Sequence, residues 1–319
     1  MKHAPMLALC SLLCATAGNA DDYPSKPIRL IVPFAAGGAV GAVARVLSTP
    51  LTAGLGQAII IDNRGGAGGI IGMDAVAKAP PDGYTLLLAH SGLTYMPGLY
   101  RKLPFDPVKD FDGVITAVSG SYVLAVAADA PFKTTSELIE YARANPGKLT
   151  YASAGIGSTL HLAAEFFKRA AGLDILHVPY KGAAQATTDL VGAQVQMMFG
   201  PLVAIMPLAE AGKIRALAVT SPRRSALAPD VPTMVESGIA GFEVTGWYGL
   251  AAPAGTPRAA IDRLNDETNR ALKSPELIEQ FRLQGYEPLG DTPDQMNARI
   301  KTDVERWTQI IRDAGIQAQ

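Results

Sequence analysis

Cysteine is nearly missing from this 319-residue sequence: there are two, Cys10 and Cys14. Both fall in the first twenty residues, an apolar stretch with the features of a cleaved leader. A chain without that stretch has no thiol, which excludes a cysteine nucleophile, a disulfide framework and a cysteine metal site. Histidine is scarce as well. His3, His90, His161 and His177 stand far apart, with no pair at metal-ligand spacing, so the sequence offers no metal site. An excess of one charge is absent too: 28 Lys and Arg face 29 Asp and Glu, for a net charge of −1. Without a basic run, a nucleic-acid partner is excluded. The 32 glycines and 23 prolines are scattered and not periodic, so no collagen-like or low-complexity segment exists. No complete Gly-x-Ser-x-Gly elbow occurs, the nearest being Tyr151-Ala152-Ser153-Ala154-Gly155. Gly66-x-Gly68-x-x-x-Gly72 approaches a dinucleotide fingerprint. However, Asp62-Asn63-Arg64 separates it from the preceding strand pattern, and no strand-terminal acid follows about twenty residues on. No cofactor is expected.

What is there is apolar: 48% of residues are hydrophobic and 18% charged, enough to bury a core. The length exceeds what one core usually fills, which predicts two domains. At the N-terminus Lys2 precedes an apolar run, Met6–Ala17, then the small residues Gly18-Asn19-Ala20. This reads as a Sec-type signal peptide over residues 1–20, directing the product to the periplasm. No later stretch reaches membrane-spanning length without charge.

Short continuous apolar runs at Ile28–Val32, Ile59–Ile61, Thr85–Leu88, Val123–Ala127, Leu149–Tyr151, Ile175–Val178, Val195–Met198 and Ala216–Val219 read as buried strands. Helical patterns alternate with them. Thr134-x-x-Glu137 reads as a capping box, and Thr256-Pro257, Ser274-Pro275 and Thr292-Pro293 each place a hydroxyl before a first-turn proline, the last with Gln295 as box partner. Ser158 opens an apolar helical stripe that ends at Gly172. The order predicts an α/β fold with mostly parallel sheets, whose ligands bind on loops at the carboxyl ends of strands.

Two such loops stand out. Phe34-Ala35-Ala36-Gly37-Gly38 follows the first strand, and Gly155-Ile156-Gly157-Ser158-Thr159 repeats the strand–glycine–helix device in the second half. Each would offer unpaired backbone N–H groups at a positive helix end, with glycine letting an anion approach. The pair would clamp one carboxylate-bearing molecule from two sides.

At these loops the sequence resembles the Bug-type periplasmic solute-binding proteins, the receptors of tripartite tricarboxylate transporters. The resemblance covers essentially the whole chain after the leader. It runs through Val32-Pro33-Phe34-Ala35-Ala36-Gly37-Gly38, Asn63-Arg64-Gly65-Gly66-Ala67-Gly68-Gly69, Pro81-Asp82-Gly83-Tyr84-Thr85-Leu86, Gly157-Ser158-Thr159-Leu160-His161, Val178-Pro179-Tyr180-Lys181-Gly182 and Ala252-Pro253-Ala254-Gly255-Thr256-Pro257. It implies a two-lobed, type II-like periplasmic-binding-protein clamshell. Residues 21–120 plus 245–319 would form one domain and 121–244 the other, with two hinge crossings near Val118–Ser121 and Glu243–Gly246. It also implies a non-catalytic receptor, monomeric, that captures a small organic carboxylate for the membrane components of a tripartite transporter. A ligand sensor and a serine hydrolase, using Ser153 or Ser158 with His161, are the alternatives.

The sequence departs from the family pattern at Val40 and Gly41, at Met96 and at Gly200, each replacing a polar or acidic side chain. A ligand with an aromatic or otherwise apolar body is therefore expected. The residues expected at the ligand are Phe34, Ala35, Ala36, Gly37 and Gly38 on the first loop and Gly155, Ser158, Thr159 and His161 on the second. Ser91, Thr94, Tyr95 and Tyr180 complete the expected wall.

Overall fold

The computed structural model describes residues 23–316, apart from 35, 37, 38 and 181. The leader expected over residues 1–20 lies outside them. In chain order the elements are β1 (Ile28–Val32), α1 (Ala39–Leu55), β2 (Ile59–Asn63), α2 (Ile70–Ala77), β3 (Thr85–His90), α3 (Gly92–Leu99), β4 (Phe111–Ala127), α4 (Thr135–Ala144), β5 (Thr150–Ser153), α5 (Thr159–Ala171), β6 (Leu176–Pro179), α6 (Ala183–Val191), β7 (Met197–Pro201), α7 (Leu202–Glu210), β8 (Ile214–Val219), β9 (Thr245–Pro253), α8 (Arg258–Ala271), α9 (Pro275–Leu283), β10 (Glu287–Pro288) and α10 (Pro293–Asp313).

The strands follow the path β2-β1-β3-β9-β4-β7-β5-β6, with β8 and β10 also paired to β4. β4 belongs to two sheets. Its residues Phe111–Ser121 pair with β9, and Tyr122–Ala127 pair with β7 and β8. The pairs β1–β2, β1–β3, β5–β6 and β5–β7 are parallel. Every pairing of β4 and β9 is antiparallel, so the sheets are mixed and not mostly parallel as the sequence pattern predicts. The sequence pattern also misses β9 and the first half of β4, where Gly113, Ser119, Gly120, Gly246 and Gly249 interrupt the apolar runs.

Alternation along each strand sorts side chains into four packed layers. In the first sheet Leu30, Val32, Leu86 and Leu88 face Val43 and Leu47 of α1 and Leu264 of α8. Ile31, Leu87 and Ala89 face Met73, Leu93 and Met296 on the other side. In the second sheet Val123 and Ala125 face Leu190 and Ile205, while Leu124 and Val126 face Leu138, Leu162 and Phe167. α10 joins both halves. Met296 and Ile300 pack under the first sheet, and Trp307, Ile310 and Ile311 enter the core of the second beside Tyr95 of α3.

Helix starts follow the sequence signals unevenly. Thr292 and Gln295 form the full capping box of α10. Thr134 caps Glu137, but the Glu137 carboxylate accepts from the Lys133 amide, so that box is half made. Thr256 donates to the Pro253 carbonyl and does not cap α8, and Ser274 makes no side-chain cap of α9.

Candidate functional site

The two sheets aim their strand ends at one place. In the first sheet β1, β3 and the first half of β4 run the same way, ending near Val32, His90 and Ser121. In the second sheet Tyr122 pairs with Pro201 and Val123 with Val219, so the carboxyl ends of β5, β7 and β8 approach the same crossing. Crevices of α/β sheets bind ligands at such ends. The halves also touch there. A Cβ on Gly157 would lie 3.3 Å from Leu99 of α3, and one on Gly285 2.6 Å from Val203 of α7. A cavity of about 180 Å³ opens beside the crossing, with Tyr122, Pro201, Gly246, Tyr248 and Tyr286 among its walls. Two larger grooves, of about 540 and 530 Å³, run along α10 on outer faces and touch neither glycine loop.

On the first side, Phe34 leaves β1 with its carbonyl accepting from Asn63 Nδ2 at 3.0 Å. Its ring packs 5.0 Å from the His90 ring and against Gly69. A Cβ on Gly72 would come within 2.7 Å of Pro33 Cα, so glycine lets α2 press directly on this loop. The amides of Phe34 and Ala36 donate to no carbonyl among the described residues. Ala36 is exposed, and Ala35, Gly37 and Gly38 lie outside the described residues.

On the second side, the loop from β5 into α5 is tied down from within. Gly155 N–H donates to Ser153 Oγ, Gly157 N–H to His161 Nδ1 and Ser158 N–H to the Gly155 carbonyl. The sequence reading treats the whole row as free; three of its amides are spent on the loop itself. Among the described residues, Ile156, Thr159 and Leu160 donate to no acceptor, and they sit at the N-terminus of the thirteen-residue α5. Ser158 caps the helix, its Oγ accepting from His161 N–H at 3.3 Å.

His161 stands behind this loop, not in it. Its ring stacks 4.1 Å from His177, which stacks on Tyr151. Burial, with His177 and Lys168 nearby, lowers its pKa to about 4, so it stays neutral and accepts the Gly157 proton on Nδ1. His177 Nε2 lies 2.7 Å from Ser153 Oγ. Of the two serines expected with His161, Ser158 Oγ meets the backbone of His161 and not its imidazole, and Ser153 Oγ meets His177 in place of His161.

The remaining expected residues fare differently. Ser91 donates its amide to the Trp247 carbonyl at 3.0 Å. Thr94 is fully buried and spends its hydroxyl on the Ser91 carbonyl at 2.8 Å, so it caps its own turn. Tyr95 packs edge-on to Trp307, 4.9 Å away, with its hydroxyl buried near Ser91 and Thr159. Tyr180 donates to Asp189 at 2.7 Å, a bond that pushes its phenol up to about 12. Thr159 is half-buried at the first position of α5.

Two residues escape the sequence reading. His90 ends β3, accepts the Gly92 amide on Nδ1 and, among the described residues, leaves a buried Nε2 without a partner. Burial lowers its pKa to about 4, so with Nδ1 accepting, Nε2 carries the proton. Tyr122 begins the second half of β4 at the crossing. Both stand at strand boundaries facing the crevice, a positional signal that needs the strand ends to be known.

The departures also resolve. Gly41 has room: a Cβ there would sit 3.5 Å from Arg45. Gly200 has none, because Ile205 would be 2.6 Å away, so Ile205 occupies the space of the missing side chain. Met96 is buried in the first-sheet core, and Val40 packs at its edge.

The sequence profile described as tripartite tricarboxylate transporter family receptor matches residues 43–316. Protein BugT of Bordetella pertussis is 38% identical over 323 residues, covering 99% of each chain. Among solved structures, Rhodopseudomonas palustris Rpa4515 with adipate is 36% identical, with a TM-score of 0.75 over 93% of this chain and 100% of that one. MatC of the same organism with bound malate is 32% identical, with a TM-score of 0.72 over 91% of this chain and 100% of that one.

Proposed function

The chain belongs to the tripartite tricarboxylate transporter receptor family, and from that premise we propose how it holds its cargo. It is a solute-binding receptor for small organic carboxylates, with the two-lobed clamshell of that family. One carboxylate lies between the loop at Phe34–Gly38 and the start of α5. The observation that carries this reading is the set of unspent amides of Ile156, Thr159 and Leu160 beside α3. Together, as one helix end, they favour an anion by about 0.3–2 kcal/mol per charge, and charge-assisted hydrogen bonds add to that.

The finer points are part of the same proposal. The lobes are residues 21–120 plus 245–319 and 121–244, moving about the crossings near Val118–Ser121 and Glu243–Gly246, with α10 as a strap between them. Val40 and Ile205, standing near or in place of family polar groups, favour an apolar ligand body, as in the adipate of Rpa4515. The leader sends a monomer to the periplasm, where it hands its ligand to the transporter's membrane components.

Small-angle scattering tests the closure. With adipate at a concentration that calorimetry finds saturating, the radius of gyration should fall. An unchanged profile would contradict hinge closure.

A further inference from the structure

The cavity of about 180 Å³ at the crossing takes its walls from both halves of the molecule. Tyr122, Pro201 and Val203 come from the second half, Tyr248 and Tyr286 from the first. Glycines set these walls. A Cβ on Gly246 would lie 2.7 Å from the Tyr122 hydroxyl, one on Gly120 2.9 Å from the Tyr286 ring and one on Gly285 2.6 Å from Val203. Each wall therefore rests on bare backbone, and a side chain at any of the three glycines would displace it. One residue beyond Tyr286 the halves are tied together, where Ser225 Oγ donates to the Glu287 carboxylate at 2.6 Å.

The chemistry of the walls is uniform. Among the described residues no charged side chain lines the cavity. Burial pushes the Tyr122 phenol up to about 12 and holds that of Tyr248 well above its usual range, so both stay neutral at physiological pH. A carboxylate or ammonium placed here would give up its water with no ion to replace it. An apolar group gains by the same move, and the size suits one ring or a short alkyl chain. A cavity of roughly 150 Å³ with apolar walls takes up benzene.

A row of rings joins this cavity to the first glycine loop. The Phe34 ring lies 5.0 Å from that of His90. His90 stands directly opposite Tyr248 in the β3–β9 register, so the two share one face of the sheet. The Tyr248 ring in turn meets Tyr286 edge-on at 5.2 Å. From β1 through β3 to β9 the row crosses two strand spacings, roughly 10 Å. A molecule whose acid group rests at the Phe34 loop would reach the cavity along these rings with an apolar body.

We propose that this cavity is the subsite for the body of the ligand, and that the cargo is a monocarboxylic acid with an uncharged ring or short alkyl chain. This rests on the receptor reading above and names the class of acid the site prefers.

The test is isothermal titration of the full chain with acetate, butyrate, hexanoate, benzoate, adipate and malate, followed by a crystal structure with 4-bromobenzoate. From acetate to hexanoate, binding should tighten about two- to fourfold for each added methylene. Adipate, the same chain with a second charge, should bind about fivefold or more weakly than hexanoate. Anomalous scattering should place the bromine among Tyr122, Tyr248 and Tyr286. If the alkyl series is flat, if adipate or malate binds more tightly than both hexanoate and benzoate, or if the bromine lies outside the cavity, the subsite is wrong while the receptor reading stands. If none of the six acids binds, the receptor reading fails and the subsite falls with it.

Discussion

The Gly157 amide donates to Nδ1 of His161 at 3.0 Å, so the tip of the second glycine loop hangs on a neutral imidazole four residues along the chain. The side chain of Ser158 returns the bond, accepting the His161 amide. The loop on which the proposed carboxylate would rest is therefore tied by its own hydrogen bonds without any ligand, which would spare binding part of its ordering cost.

Acid should undo this support. His161 and His90 are both lowered to about 4, and His177 is lowered as well, in each case chiefly by burial. An unfolded histidine takes its proton near 6.5. Between those values the unfolded chain binds more protons, so stability rises with pH through the window. It is fully present above about 6.5 and is lost as pH falls towards 4. The Glu165 carboxylate and the Lys168 ammonium also face His161, with opposite effects on it. His161→Gln keeps an acceptor for Gly157 but cannot titrate. Thermal melts from pH 7 to pH 4 should show a shallower loss for this variant, a difference on the order of 2–3 kcal/mol. Parallel curves would contradict the assignment.

Ser158 separates capping from binding. Ser158→Ala should cost about 1 kcal/mol of stability. Ser158→Asp keeps a good cap and should melt near wild type, yet its charge at the start of α5 should weaken adipate binding about tenfold or more. Calorimetry beside melting curves checks both. Tight adipate binding by Ser158→Asp would place the anion elsewhere.

Gly41 and Gly200 should respond oppositely to the same change. Gly41→Ala meets Arg45 and Asn63 at ordinary contact distance and, within α1, should raise stability by up to about 1 kcal/mol. Gly200→Ala drives a methyl group into Ile205 and should cost about 1–3 kcal/mol. Denaturant titration of the pair decides. Equal tolerance would mean that Ile205 yields freely.

Trp307 is the hub of the strap. It is 1% exposed and touches Tyr95 from one lobe and Phe166 from the other, both edge-on. Trp307→Ala should cost about 3–5 kcal/mol. Chemical denaturation would show it, and a loss below 1 kcal/mol would mean that α10 does not bind the halves together.

Much of the fold is legible in the sequence because apolar runs and caps are local signals. Ile28–Val32, Thr292 with Gln295, and Ser158 with Gly172 behave as their residue types demand. β9 and the first half of β4 are not legible, since glycines let those strands cross closely at Gly249 and break the apolar pattern that marks a strand. The site divides in the same way. The glycine loops announce themselves, but which amides stay free depends on side chains that arrive from elsewhere. Ser153 and His161 consume Gly155 and Gly157, and only the fold reveals that. Thr94 and Tyr180 carry suitable hydroxyls yet spend them on Ser91 and Asp189. Tyr122 gains its place from strand pairing alone.

The grip on the acid group is tested most directly by a crystal structure of the protein with the tightest-binding carboxylate from the titrations. The ligand's carboxylate should lie within hydrogen-bonding distance of the Thr159 or Leu160 amide and of the loop that follows Phe34. A carboxylate bound away from both loops, or held by a lysine or arginine side chain in their place, would contradict the account.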